Sequence, residues 1–318
     1  MNHKRWIAVA IFLALFFVST ATPMKPMDWP TVNNDWIENV YQDGGNDRIA
    51  LLEIDGEIVD VQQSLFPTGL YNHDMFLRQL EQAFSDAAIK AVVLQVNSPG
   101  GGVYESDEIY NSIRKLKKQY NKPIVVYMSK MAASGGYFVS APADYIIANR
   151  NTLTGSIGVI LGNLNFKELM ERYGVKDQTF TSGPNKAIMS PYQDLTEEQR
   201  VIMQSIIDDS YQYFVDIIVE GRNMERSRVL EIADGRIYTG SQAKEIGLVD
   251  DLGQVEDAIA KASDLAGVVN PTVITYTADQ WSQFRSLLYK APKLFRSTSD
   301  LQELLPASHP NLMYIWNW

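Results

Sequence analysis

The chain contains no cysteine. That absence removes disulfides, thiolate nucleophiles and cysteine-based metal sites together. Histidine is nearly absent as well, with only His3, His73 and His309 in 318 residues. The side chain that most often moves protons in catalysis is therefore scarce. A basic surface is also missing. The formal net charge is −10, which argues against nucleic acid as a partner because phosphate binding needs a positive face. Neither the G-x-G-x-x-G nor the P-loop pattern occurs, so no nucleotide cofactor is implied. No metal or other cofactor is expected.

The chain does have one long apolar run. WIAVAIFLALFFVSTAT (Trp6–Thr22) follows Lys4 and Arg5 and is 17 residues without a charge. Its length falls between a signal-peptide core and a full membrane span. Ser19 and Ala21 could mark a cleavage site, but the length favours a retained anchor. The basic flank keeps residues 1–5 in the cytoplasm and sends the remainder outside. The expected protein is thus a single-pass cell-membrane protein with its domain extracytoplasmic. Residues 6–22 would be the anchor and 23–46, rich in Pro, Asn, Asp and Gly, a tether. One domain would fill 47–278, and 279–318 would form an amphipathic tail.

Within the domain, short apolar runs alternate with helical patterns. Strands are expected at Arg48–Asp55, Lys90–Asn97, Pro123–Ser129, Asp144–Asn149, Asp177–Ser182 and Pro271–Tyr276. Helices are expected at His73–Ser85, Glu105–Tyr120, Asn165–Tyr173, Thr196–Gly221 and Val255–Ala266. Thr196 with Gln199 has the spacing of a capping box. Residues 151–158 read as a polar turn, and 235–253 as a turn, a short helix and a strand. The alternation indicates an α/β fold with a parallel sheet. Uninterrupted apolar strands such as Ala91–Leu94 fit burial on both faces.

Three glycine-rich corners could carry chemistry: SPGGG (Ser98–Gly102), ASGG (Ala133–Gly136) and TGSIG (Thr154–Gly158). The first two follow strong strands, and loops after parallel strands gather at one edge of the sheet. Gly100–Gly102 leave backbone N–H groups open to a ligand, as an oxyanion hole requires, although a tight turn would use glycine equally well. Ser134 lies in MAASGGY and could be a nucleophile opening a helix. Its small neighbours could equally serve close helix packing. A serine nucleophile needs a base. His3 lies across the membrane, and His73 and His309 read as surface histidines. Lysine remains, since a desolvated lysine can lose its charge. Lys186, in the glycine-proline loop TFTSGPNKAIMSP, is the most unusual lysine of the chain.

The motifs NSPGGG, MAASGGY, TLTGSIGV and SGPNKA, in that order, and the later DGRIYTGSQAKEIGLVDDLG resemble the signal peptide peptidase A family. The likeness runs over about residues 48–265, and the length is similar to half-size members of that family. The resemblance implies a Clp-protease/crotonase-like fold of repeated ββα units behind an N-terminal membrane anchor. It also implies a membrane-bound serine endopeptidase that degrades remnant signal peptides and other unfolded apolar peptides through an acyl-enzyme. By resemblance Ser134 is the nucleophile, Lys186 the general base, Ser156 the hydroxyl that orients the lysine, and Gly101 the oxyanion donor. A homo-oligomeric ring, an octamer by resemblance, is implied as well.

A Ser/His/Asp protease of this fold would need a histidine after the serine, and none lies between Ser134 and His309. A crotonase-type acyl-CoA enzyme would be separated from cytosolic CoA. A non-catalytic membrane scaffold would not need the serine and lysine motifs. The tail NLMYIWNW (Asn311–Trp318) is as apolar as a signal-peptide fragment. It could enter the groove of its own or a neighbouring protomer, or pack against the domain or the membrane interface.

Overall fold

The apolar runs of the sequence become the centre of one sheet. The structure, a computed structural model, describes residues 36–60, 71–278 and 313–315. In chain order the elements are β1 (Trp36–Gln42), β2 (Arg48–Asp55), α1 (His73–Ser85), β3 (Ile89–Ser98), β4 (Gly100–Gly102), α2 (Val103–Tyr120) and β5 (Ile124–Ala133). Then follow α3 (Gly135–Ser140), β6 (Tyr145–Ala148), β7 (Leu153–Gly155), α4 (Lys167–Arg172), α5 (Glu197–Arg222) and α6 (Arg226–Ile232). The described chain closes with β8 (Ile237–Thr239), α7 (Gly240–Glu245), β9 (Asp251–Leu252), α8 (Val255–Ala266), β10 (Thr272–Ala278) and β11 (Met313–Ile315).

The main sheet runs β1-β10-β2-β3-β5-β6-β9, with β7 and β8 branching from β5. Every pair from β10 to β9 is parallel, whereas β1 meets β10 and β7 meets β8 antiparallel. Alternate side chains of the central strands enter two separate cores. On one face Leu52, Ile54, Leu94, Val96, Val126 and Met128 lie under α1, α2, α3 and α5. On the other, Ile49, Val93, Val125 and Tyr127 meet Ala258, Ile259 and Ala262 of α8. Both faces are covered, so the strands carry no polar stripe.

Helix ends follow local chemistry. Asn72 caps α1 by accepting from the Met75 N–H at 2.8 Å. At α5, Thr196 Oγ1 accepts from the Gln199 N–H at 3.2 Å and Gln199 Oε1 accepts from the Thr196 N–H at 3.1 Å, completing the expected capping box. Near the far end of α5, Phe214, Val215, Ile217 and Ile218 are buried. There Arg222 forms a two-pronged ion pair with Asp250 at 3.0 and 2.6 Å, and Asp250 also accepts from the Ile146 N–H.

Several expectations change. Trp36–Gln42, within the stretch read as tether, forms β1 on the edge of the sheet. The polar turn at 151–158 contains β7, whose partners β5 and β8 are distant in sequence. The strand expected at Asp177–Ser182 is absent: no neighbour pairs with it, and Phe180 is 97% exposed. The triple glycine is strand β4 rather than a turn, and α6 was not anticipated. The expected anchor at 6–22 and residues 279–312 of the tail lie outside the described residues. Among the described residues, no helix is long and apolar enough to cross a membrane.

Phe138 of α3 ties the larger core together, with Tyr110, Phe214 and Tyr213 around its ring at 5.5, 5.0 and 6.0 Å. Phe138→Ala is expected to cost about 3–5 kcal/mol of stability, measured as a shift of the urea midpoint at unchanged slope.

Candidate active site

Parallel strands end together, and the chain's glycine corners collect where β2, β3 and β5 finish. Register places Ser98 beside Ala132, and Ala133 beside Gly155. Ser134 follows directly, between the last residue of β5 and the first of α3. Its backbone has φ 52° and ψ −115°, a region that costs a residue with a side chain roughly 1–3 kcal/mol. Three hydrogen bonds hold it there. The Ser134 N–H donates to Gly155 C=O at 2.8 Å, and Ser134 C=O accepts from Tyr137 and Phe138 N–H, both at 2.9 Å. Thr154 Oγ1 donates to Ala132 C=O at 2.6 Å, bracing the same strand end.

The Ser134 side chain is 1% exposed and its Oγ has no hydrogen-bond partner. An unsatisfied buried hydroxyl costs about 1–3 kcal/mol, so the position bears two penalties at once. The N–H groups of Gly135 and Gly136 have no hydrogen-bond acceptor among the described residues. Gly135, adjacent to the serine, is a further backbone donor that the sequence reading did not single out. A donor beside a strained serine at a strand-to-helix turn is a recurrent oxyanion arrangement, which is the signal that could have found it.

Gly136 lets α3 approach the end of β3, since a Cβ there would lie 2.9 Å from the Ser98 carbonyl oxygen. Gly101 is tighter still, with room for a Cβ denied by the Ile58 carbonyl oxygen at 2.0 Å. Ile58 grips β4 through backbone alone: its N–H donates to Gly100 C=O and its C=O accepts from Gly102 N–H, each at 2.8 Å. The role of Ile58 was invisible in the sequence because it uses no side-chain chemistry. On its other edge β4 pairs antiparallel with β11, with Gly101 opposite Tyr314.

The four expected site residues divide three to one. Ser134, Ser156 and Gly101 belong to one neighbourhood. Ser156 follows the Gly155 that binds Ser134, is buried, and also has a positive φ of 49°. Its N–H donates to Arg236 C=O at 2.8 Å. Lys186 stands apart. It is exposed, in a turn closed by its N–H to Gly183 C=O, and its Nζ has no hydrogen-bond or ion-pair partner among the described residues. A lysine must be desolvated to act as a neutral base, and the single chain does not provide this.

Tyr137 fixes the helix behind the nucleophile. Its hydroxyl donates to Leu248 C=O at 2.8 Å, and burial pushes the phenol pKa up so that it stays a donor. His73, expected at the surface, is only 4% exposed. Its ring nitrogens face Tyr71 Oη at 2.7 Å and Glu108 Oε2 at 3.0 Å, not Ser134. A buried imidazole persists here because both of its nitrogens find partners. His3 and His309 lie outside the described residues.

The model of peptidase family S49 matches residues 116–269, and that of Clp protease matches residues 70–157. An Enterococcus faecium protein named "Putative signal peptide peptidase SppA" is 40% identical over 296 residues, covering 88% of this chain and 86% of that one. "Protease 4" of Salmonella typhi is 34% identical over 303 residues, 89% of this chain but 46% of its own length. "Serine protease SPPA, chloroplastic" of Arabidopsis thaliana is 31% identical over 227 residues, 71% of this chain and 33% of its own. With a buried, strained serine at the strand edge and relatives of this extent, the chain belongs to peptidase family S49 and is a serine peptidase of the signal peptide peptidase A type.

Proposed function

We propose that this peptidase is a membrane-anchored endopeptidase that uses a Ser134/Lys186 dyad to cleave remnant signal peptides and other unfolded apolar segments through an acyl-enzyme. The observation that carries the reading is the Ser134 hydroxyl, buried, without a partner, and held in strained backbone beside a glycine strand. Such a cost is hard to justify in a scaffold and natural in a nucleophile.

In this reading Ser134 Oγ adds to a substrate carbonyl and its proton passes to Lys186 Nζ. The N–H groups of Gly101 and Gly135 receive the developing oxyanion. Ser156 orients the lysine. The lysine then protonates the leaving amine, and water resolves the ester.

Because Lys186 does not reach Ser134 within one chain, the base comes from a neighbouring protomer. Residues around Lys186 support that arrangement. Leu164, Leu169, Tyr173 and Phe180 are 71%, 52%, 75% and 97% exposed, and α4 buries none of its residues. A segment with so much apolar surface is built to be covered. A second copy laid over it would desolvate Lys186, and repetition of one such contact closes a ring, an octamer by family resemblance. Residues 6–22 would anchor that ring to the membrane with the peptidase domain extracytoplasmic.

Ser134→Ala and Lys186→Ala are each expected to abolish hydrolysis of an apolar reporter peptide while the assembly, measured by light scattering, is kept. Full activity of Lys186→Ala would sink the dyad. Co-assembly of the two inactive variants should restore part of the activity if the base is supplied by a neighbour, and none if it is supplied within one chain.

Ser156→Ala is expected to lower kcat less than either change, by about tenfold or more, and to move the acid limb of the kcat/KM profile. That limb reports the base: below its pKa the lysine is protonated and the rate falls. An unmoved limb would remove Ser156 from the role of orienting the lysine.

A further inference from the structure

Strand β4 has two edges, and the two are not equivalent. Gly100 C=O and Gly102 N–H turn toward Ile58, which bonds both at 2.8 Å. Backbone groups of successive strand residues point to opposite edges. The N–H and C=O of Gly101 therefore face the other way, toward β11. There the register is Met313 opposite Gly102, Tyr314 opposite Gly101 and Ile315 opposite Gly100. Of the three β11 residues, only Tyr314 meets a glycine whose N–H and C=O are both turned toward it. Helix α3, which begins immediately after Ser134, packs against both β4 and β11. A segment more than two hundred residues away in sequence thus lies as an extended strand on the glycine edge beside the nucleophile.

We propose that the groove is filled by the chain's own tail in a substrate-like register, and that the enzyme cleaves itself between Tyr314 and Ile315. The inference rests on the peptidase reading above, in which Gly101 N–H binds the carbonyl oxygen under attack. That carbonyl is then the one opposite Gly101, which belongs to Tyr314. Ser134 Oγ bonds to the Tyr314 carbonyl carbon and releases its proton to Lys186 Nζ. The Tyr314–Ile315 C–N bond breaks, and the Ile315 nitrogen takes that proton and departs as a free amine. Water then adds to the Tyr314 ester, Ser134 Oγ recovers a proton, and a new carboxylate remains on Tyr314. No oxidant, metal or further reactant is needed.

The groove does not require a foreign peptide to define its register. The tail already runs antiparallel to β4, and the sequence beyond it, Trp316–Asn317–Trp318, offers no charged side chain to hold it out in water. Being part of the same chain, the segment is present at a high effective concentration. It therefore competes with any peptide in dilute solution until it is cut.

Intact mass spectrometry of the full-length protein tests this, with hydrolysis of an apolar reporter peptide measured on the same sample. The expected result is a wild-type chain ending at Tyr314, a released peptide beginning with Ile315, and a Ser134→Ala chain that keeps its full length. Tyr314→Pro, which removes the N–H facing Gly101 C=O, should stay uncut at this bond while still hydrolysing the reporter. A wild-type enzyme that hydrolyses the reporter but keeps its tail, or cuts it at another bond, overturns the self-cleavage alone. Trimming that persists in Ser134→Ala, or is undiminished in Tyr314→Pro, overturns it as well. A wild-type enzyme that leaves the reporter intact removes the peptidase reading, and the self-cleavage with it.

Discussion

The bend at Ser134 is the constraint on which the site depends. A strand must become a helix within one residue, and that residue must keep a side chain. The backbone accepts φ 52° only because the N–H of Ser134 is held by Gly155 and its C=O by the first N–H groups of α3. Those bonds in turn need β7 beside β5, and β7 needs β8. A serine hydroxyl at the sheet edge is thus the product of segments spread from residue 124 to residue 239. Local sequence alone would have relaxed the turn, since nothing in Ala133–Ser134–Gly135 prefers a strained form.

Behind the bend, rigidity comes from unlike interactions. Phe138 packs in an aromatic group, Tyr137 donates to Leu248 C=O, and Arg222 joins α5 to Asp250. The Arg222 side chain is 8% exposed and that of Asp250 is 28%. A pair buried this far gains little net energy over an apolar substitute, yet losing one partner leaves a costly charge. Its value is positional, since it fixes the segment that holds the Tyr137 hydroxyl and, through it, the helix that follows the nucleophile.

Much of the fold was legible because its signals are local. Periodicity and caps located α1 and α8 at their observed ends, and the box at Thr196 marked the start of α5. Strands buried on both faces stood out as apolar runs. Elements made by distant partners were hidden: β1, β7 and β11 are short, and each exists only through pairing with residues far along the chain. At the site, side-chain types disclosed Ser134 and Ser156, while backbone contributors such as Ile58 and Gly135 left no mark in residue identity. His73 was misjudged for a related reason. Its burial depends on Tyr71 and on Glu108, 35 residues away, and neither is visible as a partner in the sequence around it.

A strand made of three glycines has one further consequence. With no side chains, β4 presents only amide groups, and amide groups are the same in every polypeptide. Such an edge cannot discriminate by sequence; it discriminates by shape, accepting whatever chain can lie straight against it. Segments already wound into helices or paired within sheets have no free amides to offer and are passed over. What Gly100–Gly102 senses is whether a stretch of backbone has been left unpaired, which makes the edge a detector of unfinished structure rather than a reader of residues.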